Sequence, residues 1–158
     1  MCFSRGTIVR VLMILAIIII TSVIFIKSFE NISTSHSYSD AITEAISSDN
    51  ADYIEKGNLE VTIRKWAHVI EYAVLGIAVM RLTLNISKAF KKLFFGVALF
   101  YVLAVAVVDE HIQSFSDRTS STNDILLDFC GALLGFLVTF GLYMLVKLIR
   151  KNRCIKDA

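Results

Sequence analysis

The chain of 158 residues contains no proline. Proline is the usual interrupter of helices, so helix ends here must come from charge, capping side chains and glycine. Charge is scarce as well: charged residues make up 19% of the chain, against 56% hydrophobic residues. A soluble domain of this length seldom has such a balance, which makes an integral membrane protein the leading class. The three cysteines, Cys2, Cys130 and Cys154, lack metal-ligand spacing and suggest no disulfide framework. Cys2 also stands too early to be a lipoprotein cysteine, which would follow an apolar signal. A net charge of only +2 argues against a nucleic-acid partner.

What is present is four apolar segments. The first is Ile8 to Ile26, broken by Arg10, Thr21 and Ser22. The second runs from about Trp66 to Leu84 and carries His68, Glu71 and Arg81. The third, Leu93 to Val108, has no internal charge, and the fourth, Ile125 to Ile149, is interrupted by Asp128 and Lys147. Crossing a bilayer takes roughly 17–25 apolar residues. The first and fourth segments meet this; the second and third do so only by using their polar flanks. The first has the basic start of a signal peptide, but its core is long and no small-residue cleavage site follows. It reads as an uncleaved helix. The expected fold is therefore an all-α integral membrane protein with four transmembrane helices. Residues 1–27 form the N-terminal helix, 28–63 an acidic loop, 64–150 a three-helix region and 151–158 a basic tail.

Charge sets the expected orientation. Arg5 and Arg10 precede the first helix, and Lys88, Lys91 and Lys92 follow the second. The tail from Lys147 holds five bases and one acid, whereas residues 28–63 hold seven acids and one base, Lys56. Basic flanks stay cytoplasmic. Both termini and the 85–92 loop are thus expected inside, with the acidic loop and the 109–124 loop outside. Arg81 then lies near the inner end of its helix, where it can snorkel. The acidic loop has only weak helical periodicity and reads as a surface helix or an irregular loop.

This topology collects polar groups from separate segments at the outer end. The second helix brings Arg64, Lys65, His68, Glu71 and Tyr72 there, the third Asp109, Glu110 and Gln113, and the fourth Asp124 and Asp128. His68, Glu71 and Tyr72 are three or four residues apart and share a helix face, as do Asp109 and Gln113. Glu71 lies roughly 8 Å along the helix from Trp66. An unpaired carboxylate at such depth costs up to about 3 kcal/mol, so Glu71 and Asp128 need partners or a wet cavity. Arg64, Lys65, His68 and Arg118 are the expected cations. Arg118, the one base in the loop, suits bidentate capture of a carboxylate or phosphate. Ser121 and Asp124 have capping-box spacing for the last helix. Gly131 and Gly135 form a small-xxx-small pattern that permits close helix approach. His36 and His111 read as surface residues.

Three blocks, "RKWAHVIEYAVLG" (64–76), "DEHIQSFSDRTSSTND" (109–124) and "DILLDFCGALLG" (124–135), resemble the VanZ-like family of small bacterial membrane proteins. The matching positions are Lys65, His68, Tyr72, Gly76, Asp109, Glu110, Gln113, Phe115, Arg118, Asp124, Gly131 and Gly135. Two positions depart: Ser116-Asp117 stands where the family often has Pro-Gly, and Asp128 where it often has Asn. The resemblance implies resistance to glycopeptides, chiefly teicoplanin and lipoglycopeptides, in the bacterial plasma membrane. It brings no accepted reaction with it.

Three roles follow for the polar cluster. In a catalytic role, Glu110 or Asp109 is the base and His68 a proton partner. Arg118, Lys65, Gln113, Glu71, Tyr72 and Asp124 then hold the substrate, such as a lipid-linked cell-wall precursor. In a binding role, the same groups hold an anionic lipid headgroup, a precursor or the drug without chemistry. In a structural role, pairs such as Glu71 with Lys65, or Asp124 with Arg118, only fix helix register. Asp109, Glu110 and His68 have ligand chemistry for a metal, but no H-E-x-x-H or similar spacing accompanies them. No metal and no cofactor are expected, and the lipid bilayer is the expected surrounding partner. Clustering on one face favours a functional site over a purely structural one.

Overall fold

A computed structural model of the chain describes residues 5–29, 53–86, 91–115 and 122–156. All the regular structure among them is helical: α1 (Arg5–Phe29), α2 (Tyr53–Leu84), α3 (Lys91–Ser114) and α4 (Thr122–Lys156). Each contains a stretch long and apolar enough to cross a bilayer, spanning Arg5–Phe29, Lys65–Leu84, Leu93–Ser114 and Thr122–Arg153. The four-helix expectation holds. The helices run longer than the apolar segments that announce them. In particular, α2 begins at Tyr53, inside the acidic stretch, and α1 continues through Lys27 and Ser28. An α-helix satisfies its own backbone hydrogen bonds, so it has no reason to stop where hydropathy falls.

The apolar side chains divide into a narrow buried set and a broad exposed one. Tyr72, Leu75, Val102, Ala106 and Ala132 are fully or almost fully buried, while Ile19, Phe100 and Leu137 are more than three-fifths exposed. Large apolar surface on every helix would be a liability in water and is the ordinary exterior of a bundle in lipid.

The α2–α4 interface is the most extensive in the bundle. Glycine makes it possible. A Cβ on Gly76 would overlap the Ala132 carbonyl, and one on Gly135 would overlap the Ala73 carbonyl. Lipid offers no hydrophobic drive to press helices together, so backbone approach and dispersion have to do it. Elsewhere, the Thr21 and Tyr101 hydroxyls lie 2.8 Å apart and fix the register of α1 against α3. α1 packs on α2 and α3 but makes no contact with α4 among the described residues. Successive helices alternate in direction. One end of the bundle gathers the start of α1, the α2 terminus and the end of α4; the other gathers the end of α1 and the start of α4.

Candidate functional site

The second end carries the polar cluster, and Asp109 is its centre. Asp109 sits in α3, one turn before Gln113, and is completely buried. A carboxylate in such a place has lost its water and must be supplied with donors by the protein. Tyr72 of α2 donates its hydroxyl to Asp109 Oδ2 at 3.1 Å, and Gln113 Nε2 donates to the same oxygen at 3.3 Å. Ser28 of α1 donates to Oδ1. Three helices thus hold one carboxylate. Tyr72 is itself fully buried, so its hydroxyl also depends on this partner.

His68 approaches from α2, one turn before Tyr72. Its Nδ1 lies 4.0 Å from Asp109 Oδ2, and about a quarter of the side chain is exposed. That distance is an electrostatic contact and is too long for a hydrogen bond. His68 Nδ1 is buried and has no hydrogen-bond partner. Asp128 of α4 completes the group. Donor atoms of His68, Asp109 and Asp128 all lie within 4.8 Å of one another, so that, among the described residues, these three could together hold a metal ion. Carboxylate and imidazole donors are the usual ligands of zinc and manganese. No metal site is expected from the sequence, where Asp109, Glu110 and His68 only have the ligand chemistry; the group the fold brings together contains Asp128 in place of Glu110. Glu110 is buried at 3% exposure, next to Asp109 in α3.

Two ion pairs border the cluster. Lys27 of α1 pairs with Glu71 of α2. Lys65 of α2 lies 3.7 Å from Asp124 of α4. The first differs from the Glu71–Lys65 pair expected from sequence; the other expected pair, Asp124 with Arg118, involves a residue outside those described. Glu71 takes its cation from α1 instead of Lys65, because Lys65 stands near the start of α4 and is used there. Arg118, Ser121 and the Ser116-Asp117 departure lie outside the described residues, as do the side chain of Arg64 and residue His36. His111 is exposed, as expected, and stacks edge-on against Phe115 with ring centroids 5.0 Å apart.

The site therefore draws on all four helices, not on the last three alone. Lys27 and Ser28 were not among the expected site residues. Their only sequence signal is position: both fall in the last turn of α1, at the end where an even-numbered topology places the other polar groups. Glu71, Tyr72, His68, Asp109, Gln113, Asp124, Lys65 and Asp128 are brought to this end as expected.

The arrangement has a definite chemical capacity. A fully enclosed carboxylate with three fixed donors is poorly placed to touch a substrate. A partly exposed imidazole directly in front of it is well placed to do so. This is the order of an oriented base: acid behind, imidazole in front.

A family model described as VanZ/LLP1 matches residues 13–147, which is most of the chain and includes every site residue named above. Neither a curated protein nor a solved structure matches the chain.

Proposed function

We propose that this chain, which belongs to the VanZ/LLP1 family, is a multi-pass membrane protein of the bacterial cell envelope that lowers susceptibility to teicoplanin-type glycopeptides. Its polar end faces the extracytoplasmic side and acts on an anionic, lipid-linked envelope substrate. The observation that carries this is the Asp109–His68 arrangement: a buried carboxylate held from three helices, with a partly exposed imidazole 4.0 Å in front of it. Ionisable groups inside a membrane are costly, and three meeting in one place, His68, Asp109 and Asp128, are more than register requires.

In this role His68 is the proton-transfer group that meets substrate. Asp109 orients it and balances the imidazolium that forms when it takes a proton. A small movement that closes 4.0 Å to about 2.9 Å would complete the hydrogen bond when substrate arrives. Lys65, beside Asp124 and more than half exposed, is available to attract an anionic group at the rim.

One observation favours a second role, binding without bond breaking. Both oxygens of Asp109 already accept hydrogen bonds. A carboxylate so occupied also suits a fixed negative charge that only shapes a pocket.

The test is lipoglycopeptide susceptibility of a sensitive bacterial host carrying wild type, His68→Gln, Glu110→Gln or empty vector, at matched membrane abundance. Protection by wild type and loss in His68→Gln is expected of an acid–base site. Full protection by both variants would remove the catalytic role, and no protection by wild type would remove the resistance role.

A further inference from the structure

The opposite end of the bundle carries a second polar feature. Because α1 and α4 do not touch, a cavity of about 660 Å³ opens between them over the C-terminal end of α2. Arg81, Lys147 and Arg150 line it together with Asn85 and Thr139, and no acidic residue among those described does. None of the three cations forms an ion pair with a described residue. Val9, Met13 and Val146 form an apolar wall.

Thr139 marks the cavity as more than a basic rim. Its side chain is 95% buried, at 5% exposure, and its hydroxyl has no hydrogen-bond partner. A buried hydroxyl without a partner is uncommon, and a threonine in a helix ordinarily turns back to the carbonyl four residues earlier. α2 and α4 run side by side in the same direction, with Gly76 against Ala132. Arg81 stands five residues past that contact and Thr139 seven. From the Gly135–Ala73 contact Arg81 stands eight residues along and Thr139 four, so the two are level to within about 3–6 Å along the bundle. Arg81 and Thr139 thus stand at a similar depth, and both line the cavity.

We propose that this cavity binds the phosphate group of an anionic membrane lipid. Arg81 and Thr139 hold the phosphate, Lys147 and Arg150 balance its charge from the end of α4, and the acyl chain lies along Val9, Met13 and Val146. A basic gap between helices, with an apolar wall leading into the bilayer, has the shape and charge of such a lipid. A soluble phosphate would use the cations but has no use for the wall. The site is at the opposite end from Asp109 and stands independently of the role proposed there.

Purified full-length protein in neutral detergent micelles is titrated with dioleoyl phosphatidic acid, with dioleoyl phosphatidylcholine and with inorganic phosphate, and bound lipid is counted by native mass spectrometry. Four proteins are compared: wild type, Arg81→Ala/Lys147→Ala/Arg150→Ala, Thr139→Val, and the charge-matched control Arg5→Ala/Lys151→Ala/Arg153→Ala. Wild type and control are expected to prefer phosphatidic acid over phosphatidylcholine. The cavity variant is expected to lose about 100-fold in affinity for phosphatidic acid. Thr139→Val, which keeps shape and charge, is expected to lose about 5-fold. Equal loss in the control would mean general attraction to a basic surface and overturn the proposal. An unchanged Thr139→Val would place the lipid outside the cavity and overturn it too. Displacement of the lipid by millimolar inorganic phosphate would reassign the site to a soluble anion. All the substituted cations are exposed, so folding of the variants is expected to be retained and is checked by helix content.

Discussion

Ser28, in the last turn of α1, donates its hydroxyl proton to Asp109 of α3, across 81 residues of sequence. Both side chains are fully buried. The contact ties the first helix to the polar centre built by the others. Ser28→Ala leaves one Asp109 oxygen without its donor in a place water does not reach. A loss of about 1–3 kcal/mol is expected, read as an earlier unfolding midpoint in mixed detergent micelles. Ser28→Thr, which keeps the hydroxyl, is expected to retain most of the stability.

The Lys27–Glu71 pair is a different case. Lys27 is about half exposed, so the pair contributes little to stability even though it joins two helices. A double-mutant cycle with Lys27→Met and Glu71→Gln is expected to give a coupling below about 1 kcal/mol. A coupling several times larger would mean that the pair is sealed from solvent and is a structural clasp.

Gly135 and Gly96 predict opposite outcomes for the same substitution. At Gly135 a methyl group would meet the Ala73 backbone, so Gly135→Ala is expected to separate α2 from α4 and cost about 1–3 kcal/mol. At Gly96 nothing lies within 4 Å, and Gly96→Ala is expected to stabilise α3 by about 0.5–1 kcal/mol. Unfolding midpoints of the two variants, measured side by side, check both.

Asp128 and Asp109 bring two buried acids to one histidine, within 4.8 Å. Two carboxylates so close repel unless a proton or a cation lies between them. Asp128→Asn keeps the shape and removes the ionisable group, and it restores the residue that the family resemblance leads one to expect at this position. It is expected to fold normally and to gain about 1 kcal/mol, because the repulsion between the two buried acids is removed. A marked loss of stability would show that the second carboxyl is itself required.

Much of the fold was legible in the sequence. The four helices follow from hydropathy and length alone, since a bilayer permits little else for apolar runs of this size. The gathering of His68, Tyr72, Asp109, Gln113, Asp124 and Asp128 at one end follows from connectivity: an even number of antiparallel helices returns each polar flank to the same side. The importance of glycine in α4 was visible as spacing, but its partner was not. Only the packed α2–α4 pair shows that Gly135 faces Ala73 and that Gly76 on the other helix is equally constrained.

What sequence periodicity could not assign was which polar group meets which. Lys65 and Lys27 are both suitable cations for Glu71, and spacing along one helix cannot choose between them. The choice depends on how far each helix is rotated about its axis, and that is settled by small residues packing between helices. The same rotation turns Asp109 inward to Ser28, Tyr72 and Gln113 and leaves His68 partly open. It also holds α1 away from α4 and so leaves the basic cavity between them. Sequence by itself determined four helices long and apolar enough to cross a membrane, with the acidic and histidine cluster at one end, because burial in lipid acts on each segment separately. Tertiary structure alone decided the pairings, because they depend on helix rotation and close backbone contact, which act only between segments.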